Sequence, residues 1–511
     1  EASKDDIESL PIVVPEVNEP SADTQESDTK ASTFDKIASS CELFHSPDRK
    51  CFATVPINSH KETWPLKSSG FEDLFSGRYY QEDSSIPRSQ VLSDCIGALQ
   101  GKARYEGDEL PVFTRLAKKD RSIYLDLGND KWGVVEITSE SWNVIKDSPV
   151  KFIRPNSLLS LPIPKRGGSI NELKHFINVE DDDLILVIGF LLFCFSHRGP
   201  FPILIVQGEQ GSAKSTFCRI IRKLIDPSTG LLRSTPKNEQ DLMIAAQNGW
   251  LLGFDNLSRL TSDMSDSLCR LASGGGLSTR QLYTNNEESI FDAARPICLN
   301  GITEFATRDD LLDRALIIKL PSIPSGKRKE ESLLWTEFNE AYPRLLGALL
   351  DGVSSVMKNL SEVKLADPPR MADFARFVTA AEPALGWSDG AFMEAYIRNR
   401  DMGRNIVLES DSVAQAILNW NPDNWSGTAT ELLIILESHI PDSIVRSQFW
   451  PKIPSTLSSK LKRLQPAFRE SGFNIEWTTN GKGNSKRRII NIDKVNGTSS
   501  DPSDHDGAVP F

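Results

Sequence analysis

The sequence has no apolar run long enough for a membrane-spanning helix. Its longest, Leu184–Ser196, has 13 residues, against the roughly 20 that a bilayer requires, which excludes a helical membrane protein. Cysteine is scarce, at seven in 511 residues, so the chain is not a disulfide scaffold. Cys194, Cys218, Cys269 and Cys298 lie in apolar-rich segments and read as buried core residues. Cys41, His45, Cys51 and His60 lack the close CxxC or HxxxH knuckles of a structural zinc site, so no metal is assigned to them. This cysteine usage fits a reducing, cytoplasmic compartment. The start shows neither an initiator Met nor a charged-then-apolar leader, as expected of a processed form or a piece of a longer polypeptide. There is no internal repeat and no excess of positive charge. Fifty-eight basic residues face 70 acidic ones, a net charge of −12, which excludes a uniformly basic nucleic-acid coat.

What charge there is, is segregated. Residues 1–30 carry nine carboxylates against two lysines, whereas residues 451–490 carry nine Lys/Arg against two Glu. A local basic stripe can bind DNA even in an acidic chain. Residues 1–40, rich in Ser, Thr, Asp, Glu and Pro, are expected to be a disordered acidic tail or linker. Residues 41–160 read as a small α+β domain, with β-type runs at Val112–Leu116, Ile123–Leu127 and Val134–Ile137 and a helix near Val91–Lys102. The segment Leu161–Ser169 (LPIPKRGGS) reads as a connector. From 170 to 325, helical segments alternate with apolar runs, the pattern of a parallel sheet with right-handed crossovers. Residues 326–404 read as a helical lid or connector, 409–495 as a helix-and-hairpin unit and 496–511 as a disordered tail.

The strongest motif follows the apolar run Ile203–Gln207. Gly208, Glu209, Gln210, Gly211, Ser212, Ala213, Lys214, Ser215 and Thr216 form a strand–loop–helix P-loop. Small residues let the loop N–H groups wrap a β-phosphate at a helix N-terminus. Lys214 would bridge the β- and γ-phosphates of ATP, and Ser215 would hold Mg²⁺. Ala213 stands where the motif has its second glycine, a replacement that fails wherever φ must be positive. Downstream, Trp250–Asn256 (WLLGFDN) is a buried strand ending in an acid, so Asp255 is the second expected Mg²⁺ ligand. Asn256 follows where a water-polarising glutamate often stands, so the residue that activates water is open among Asn256, Glu209 and Glu304. A third buried strand, Arg295–Ile302, ends in Asn300, placed to hold the lytic water or sense the γ-phosphate. Arg308 and Arg314 precede the next strand; an arginine finger there would act on a neighbour's nucleotide and so requires an oligomer.

GEQGSAKST, FDN, RPICLNGI and DLLDRAL, in this order, resemble the AAA+ ATPases of the primase-helicase type found in phages, plasmids and integrated mobile elements, related to superfamily 3 and minichromosome-maintenance helicases. The stretches LCRLASGGGLSTRQLYTNNEE and PRMADFARF fit the same family, and the resemblance spans roughly residues 43–490. It implies an α/β P-loop AAA+ core with an N-terminal small α+β domain and a C-terminal winged-helix domain. It also implies ATP and Mg²⁺ as cofactors and a homo-oligomeric ring, a hexamer. Arg314 takes the finger position and Asn300 the sensor position. The acidic tail would tether a lost partner domain such as a primase.

Two places suggest DNA contact. Leu277–Thr284, a polar turn and Ser289–Asp292 read as a hairpin; in the resembling helicases such a hairpin lines the ring pore, making Arg280 and Tyr283 the contacts to single-stranded DNA. Near the C-terminus, Ser455 reads as an N-cap, and Leu457, Leu461, Leu464 and Phe468 form one helical stripe. Lys460, Lys462 and Arg463 lie off that stripe and are expected to face solvent. Asn474–Thr478 and Arg487–Ile492 flank a basic turn, so this unit reads as a winged helix with Lys460, Arg463, Lys482, Lys486, Arg487 and Arg488 on duplex phosphates. The leading expectation is an ATP-driven DNA helicase or translocase for replication of a mobile element. The alternatives are an ATP-switched origin-binding initiator or loader, or a defence-associated DNA-sensing NTPase.

Overall fold

The computed structural model describes residues 34, 36–280, 288–291, 294–301, 308–324, 326, 328–447, 450–480 and 487–494. Of the expected tails, residues 1–33, 35 and 496–511 lie outside the described residues, whereas residues 36–39, expected as part of a disordered tail, are helical, because Ile37 and Ala38 are buried in the core of the smaller unit. The chain divides into two compact units, and the expected 41–160 domain is split between them.

The smaller unit comprises residues up to 113 with 130–132 and 146–153. Strands β1 (Glu42–His45), β2 (Cys51–Ile57) and β3 (His60–Pro65) pair antiparallel, and β4 (Asp108–Glu109) lies parallel to β1. Two helices follow, Ser69–Asp83 and Ser89–Tyr105. Phe71, Phe75 and Tyr79 recur every four residues on the first helix, and the stripe packs with Ile96, Leu99, Ala53 and Val55 into one core. A short parallel pair, β5 (Val112–Phe113) with β10 (Lys151–Phe152), completes the unit.

The larger unit opens on an antiparallel meander, β6 (Leu116–Lys119), β7 (Ser122–Asp126), β8 (Val134–Ile137) and β9 (Trp142–Ile145). The apolar run Leu184–Ser196 becomes the helix Asp181–Phe193, buried all round from Leu186 to Phe193. Its three leading aspartates complement the positive end of the helix dipole. The centre of the unit is a four-stranded parallel sheet in the order β12-β15-β11-β16. Its strands are β11 (Ile203–Gly208), β12 (Leu252–Leu257), β15 (Ile297–Gly301) and β16 (Ala315–Leu320). Along β11, Leu204 and Val206 enter one apolar core while Ile203 and Ile205 enter another. That alternation is a sheet covered on both faces, which is why its strands read as unbroken apolar runs. Between β12 and β15 the chain forms the antiparallel hairpin β13 (Leu277–Arg280) and β14 (Glu288–Phe291). None of the described helices is long and apolar enough to cross a membrane.

The Pro/Gly segment 161–169, expected as a connector, packs along the 29-residue helix Glu331–Asn359. Lys165 N donates to the Pro343 carbonyl at 2.8 Å, and a Cβ at Gly347 would overlap the Lys165 carbonyl. Within the expected helical segment 326–404, two short helices, Ala372–Thr379 and Glu382–Leu385, follow one another. The C-terminal segment places β17 (Asn424–Gly427) beside a long hairpin of β18 (Phe473–Asn480) and β19 (Arg487–Lys494), in the order β17-β19-β18. Helices Ala429–Glu437, Asp442–Val445 and Pro454–Glu470 lie between. The last helix starts on Pro454, with Ile453 as its cap rather than Ser455, because proline is pre-set for the first helical turn and needs no N–H there.

A buried ion network fixes the helix that follows the P-loop. Asp226, almost fully buried, accepts from Arg115 Nε at 3.0 Å, from Trp250 N at 2.8 Å and from Leu251 N at 3.3 Å, with Arg222 at 3.4 Å. Burial pushes its carboxyl up, but Arg222, Arg115 and these donors outweigh that and hold it below the usual range. Removing one member leaves buried charges uncompensated. Asp226→Ala is therefore expected to cost about 3–5 kcal/mol, read as a lowered urea midpoint of the full chain. An unmoved midpoint would show that the network does not stabilise the unit.

Candidate functional site

The P-loop bridges the end of β11 and the helix Lys214–Ile225. Ala213 sits at φ +66°, ψ +30°, so the glycine missing from the motif is missing where left-handed backbone is required. That strain costs about 1–2 kcal/mol. Gly211 is also left-handed, at φ +86°. Lys214 Nζ folds onto the loop, donating to the Gly208 and Glu209 carbonyls at 2.8 and 2.7 Å. Burial lowers the pKa of its ammonium, and Asp255 pulls it the other way. Ser212, fully buried, donates its hydroxyl to the Glu209 carbonyl at 2.9 Å, while the Glu209, Gln210 and Gly211 positions are exposed.

Two further strands end beside this loop. Ser215 Oγ donates to Asp255 Oδ1 at 3.0 Å. Pairing of β12 with β15 slips between Phe254 and Leu257, a bulge of the kind that re-aims side chains next to active sites. In it Asn256 takes φ +57°, with its side chain exposed. Its backbone N–H donates to Asn300 Oδ1 at 2.9 Å. Asn300, on β15 opposite Val206 of β11, is almost fully buried, and its Nδ2 has no hydrogen-bond partner among the described residues. The structure thus joins Lys214, Ser215, Asp255, Asn256 and Asn300. Thr216 follows in the same helical turn, and Glu304 lies outside the described residues.

Arg314 is elsewhere. It precedes β16, whose Ala315 pairs with Ile203 and whose Leu320 pairs with Gly208. It therefore stands at the opposite end of the sheet from the loop, about 16 Å away over five strand residues. Its guanidinium reaches Asp310 at 3.3 Å and Ser273 Oγ at 2.5 Å. Arg370 shares Asp310 at 2.7 Å and also holds Asp313 at 2.6 Å. Arg308 bonds Asp266 at 3.0 Å and the Ser262 carbonyl at 2.9 Å.

One basic residue near the loop belongs to no motif. A Cβ on Gly211 would lie 3.2 Å from Arg328 Nη2. Arg219 of the P-loop helix pairs with Glu331 at 3.1 Å, and Lys223 bonds Asn339 at 2.8 Å, tying the start of helix Glu331–Asn359 alongside. No carboxylate pairs with Arg328 among the described residues. Its sequence signal was only a basic run, KRK, beyond the last sheet strand.

Of the expected DNA contacts, Arg280 closes β13 opposite Glu288 in backbone register, and Tyr283, Lys482 and Lys486 lie outside the described residues. Arg487 and Arg488 start β19 with exposed side chains. Lys460 corrects the expectation of a solvent-facing lysine. Only 16% of its side chain is exposed, and its ammonium is 3.1 Å from Asp411. Arg463, more exposed, lies 3.6 Å from the same carboxylate. Asp411 is the N-cap of helix Ser412–Trp420, so the acid that captures both residues comes from a different helix.

The fold is mixed α/β, and Lys214, Ser215, Asp255, Asn256 and Asn300 gather at one end of its parallel sheet. Residues 169–399 match the model of the actinomycete integrative conjugative element replication protein, and 413–503 match the RepA C-terminal domain of the same elements. Between them the two span well over half of the chain, which belongs to this family of mobile-element replication proteins. Among curated proteins, none matches. Solved structures similar to it include the A-form apo structure of the NrS-1 C-terminal region, at 12% identity and TM-score 0.40, covering 90% of this chain and 98% of that one. The A-form apo structure of the same region, residues 305–718, gives 13% and 0.37 with the same coverages.

Proposed function

We propose that this chain is an ATP-dependent DNA helicase or translocase for replication of its mobile element, an AAA+ P-loop ATPase with a C-terminal winged helix working as a ring. The observation that carries the reading is the Ser215–Asp255 pair, 3.0 Å apart beside the phosphate loop. Neighbouring oxygens on an octahedral Mg²⁺ with bonds of about 2.1 Å stand roughly 3.0 Å apart, so the spacing of hydroxyl and carboxylate would suit the ion. The loop N–H groups and helix N-terminus cradle phosphate. Lys214 would exchange its two carbonyl partners for phosphate oxygens, and Arg328 would add a second cation over Gly211. Bound Mg·ATP would supply the cleavable anhydride; the chain's own residues bind it, orient water and sense its terminal phosphate. Asn300 is suited to the last task, since it bonds the Asn256 backbone and keeps an unspent Nδ2 donor.

The position of Arg314 supports a ring, which we propose is a hexamer. A guanidinium at the far end of the sheet cannot serve its own loop and can serve a neighbour's. The hairpin β13–β14, with Arg280 and Tyr283, would meet single-stranded DNA, and the basic hairpin β18–β19 would meet duplex. A second reading, an ATP-switched initiator or loader without processive unwinding, is favoured by one observation: Asn256, not a carboxylate, follows Asp255. Strand displacement on a forked duplex separates them. The motor reading predicts ATP-dependent unwinding by the full chain that a non-hydrolysable analogue does not support. Duplex binding without strand separation would favour the switch.

A further inference from the structure

The helix Pro454–Glu470 presents three faces, and they do different work. Leu457, Leu461, Leu464 and Phe468 form the buried stripe. Lys460 and Arg463, 60° apart around the helix axis at 100° per residue, turn to Asp411. Lys462 lies about 160° from Lys460, so a duplex along this helix meets one of the two lysines and not the other. Ser455, Ser458, Ser459 and Lys462 follow i, i+3, i+4, i+7 spacing and share the third face. With Arg488 of β19 they line a cavity of about 270 Å³ that no carboxylate of the described residues lines. Lys462 Nζ is held 5.7 Å from the Trp477 ring centroid. Arg488 pairs with Thr479 through the strand ladder, and its exposed side chain has no ion pair or hydrogen bond among the described residues. Two cations without counter-charge, facing three hydroxyl-bearing side chains, form a site for an anion.

We propose that this cavity grips one backbone phosphate of duplex DNA, with Lys462 and Arg488 as its cations and the serine hydroxyls as donors. The proposal rests on the DNA-binding reading above and decides which face meets the duplex. A polyanion suits it better than an isolated phosphate ion, because Arg487 continues the positive charge along β19 and residues 451–490 carry nine basic against two acidic residues.

The test is fluorescence anisotropy of the full chain with labelled duplex across a salt series. Lys462→Ala and Arg488→Ala should each weaken binding irrespective of sequence and reduce the log–log salt slope by about 0.9. The affinity lost between 50 and 200 mM salt should then shrink by about 3.5-fold. Because the two side chains share one phosphate, the double variant should lose about one contact's slope rather than two. Lys460→Ala should bind as wild type does. Unchanged binding by Lys462→Ala and Arg488→Ala, with loss in Arg463→Ala, would overturn the clamp and leave DNA binding standing. Absence of duplex binding by the wild type would overturn both. Matching thermal melts confirm that the variants, altered at the helix surface and an exposed strand position, remain folded.

Discussion

Arg314→Ala should hydrolyse ATP about 10³-fold more slowly than wild type, or worse, while binding nucleotide with unchanged affinity. The split follows from the sheet register. With Arg314 beside the start of β11 and the loop at its end, the side chain lies away from its own site and, in the proposed ring, would complete a neighbour's. Its present partners do not oppose that role. The Arg314–Asp310 pair is partly exposed, and such pairs are worth about 0–1 kcal/mol, less than a phosphate contact in a closed interface returns. Arg370 remains to hold Asp310 when Arg314 leaves. Mixing sharpens the test. Lys214→Ala chains lack a working loop and Arg314→Ala chains lack the finger, so a mixture builds some interfaces with both intact and should regain activity that neither has alone. Wild-type turnover by Arg314→Ala would reduce Arg314 to a structural partner of Asp310.

The local parts of this protein are legible in its sequence, and the non-local ones are not. Strands β11, β12, β15 and β16 read as apolar runs because a sheet covered on both faces needs them so, and each of the first three ends near a polar residue that the structure brings to the loop. The hairpins β13–β14 and β18–β19 follow from turn residues between β-type runs. Ala213 also carried its own warning, and its positive φ is where that warning pointed. What failed depended on contacts distant in sequence. Lys460 looks solvent-facing until Asp411 arrives from another helix. The Pro/Gly stretch 161–169 reads as a connector because nothing local shows that Gly347 leaves room for its backbone. Arg328 belongs to no motif; it matters because Arg219–Glu331 and Lys223–Asn339 lay one helix beside another. Of the strands in residues 116–145, β7 and β8 read as strands while β6 and β9 do not, and the assignment of all four to the larger unit depends on packing that periodicity does not encode.

The central claim is that the Lys214–Ser215–Asp255 constellation is a DNA-dependent ATPase site. Steady-state ATP hydrolysis with and without single-stranded DNA, wild type beside Lys214→Ala, tests it most directly. Loss of this positioned cation should cost at least 10²–10³-fold in turnover, the scale set by removing a single preorganised donor. The account predicts marked stimulation by DNA in the wild type and none in the variant. Turnover in the wild type that is indifferent to DNA, or hydrolysis by Lys214→Ala at the wild-type rate, would contradict it.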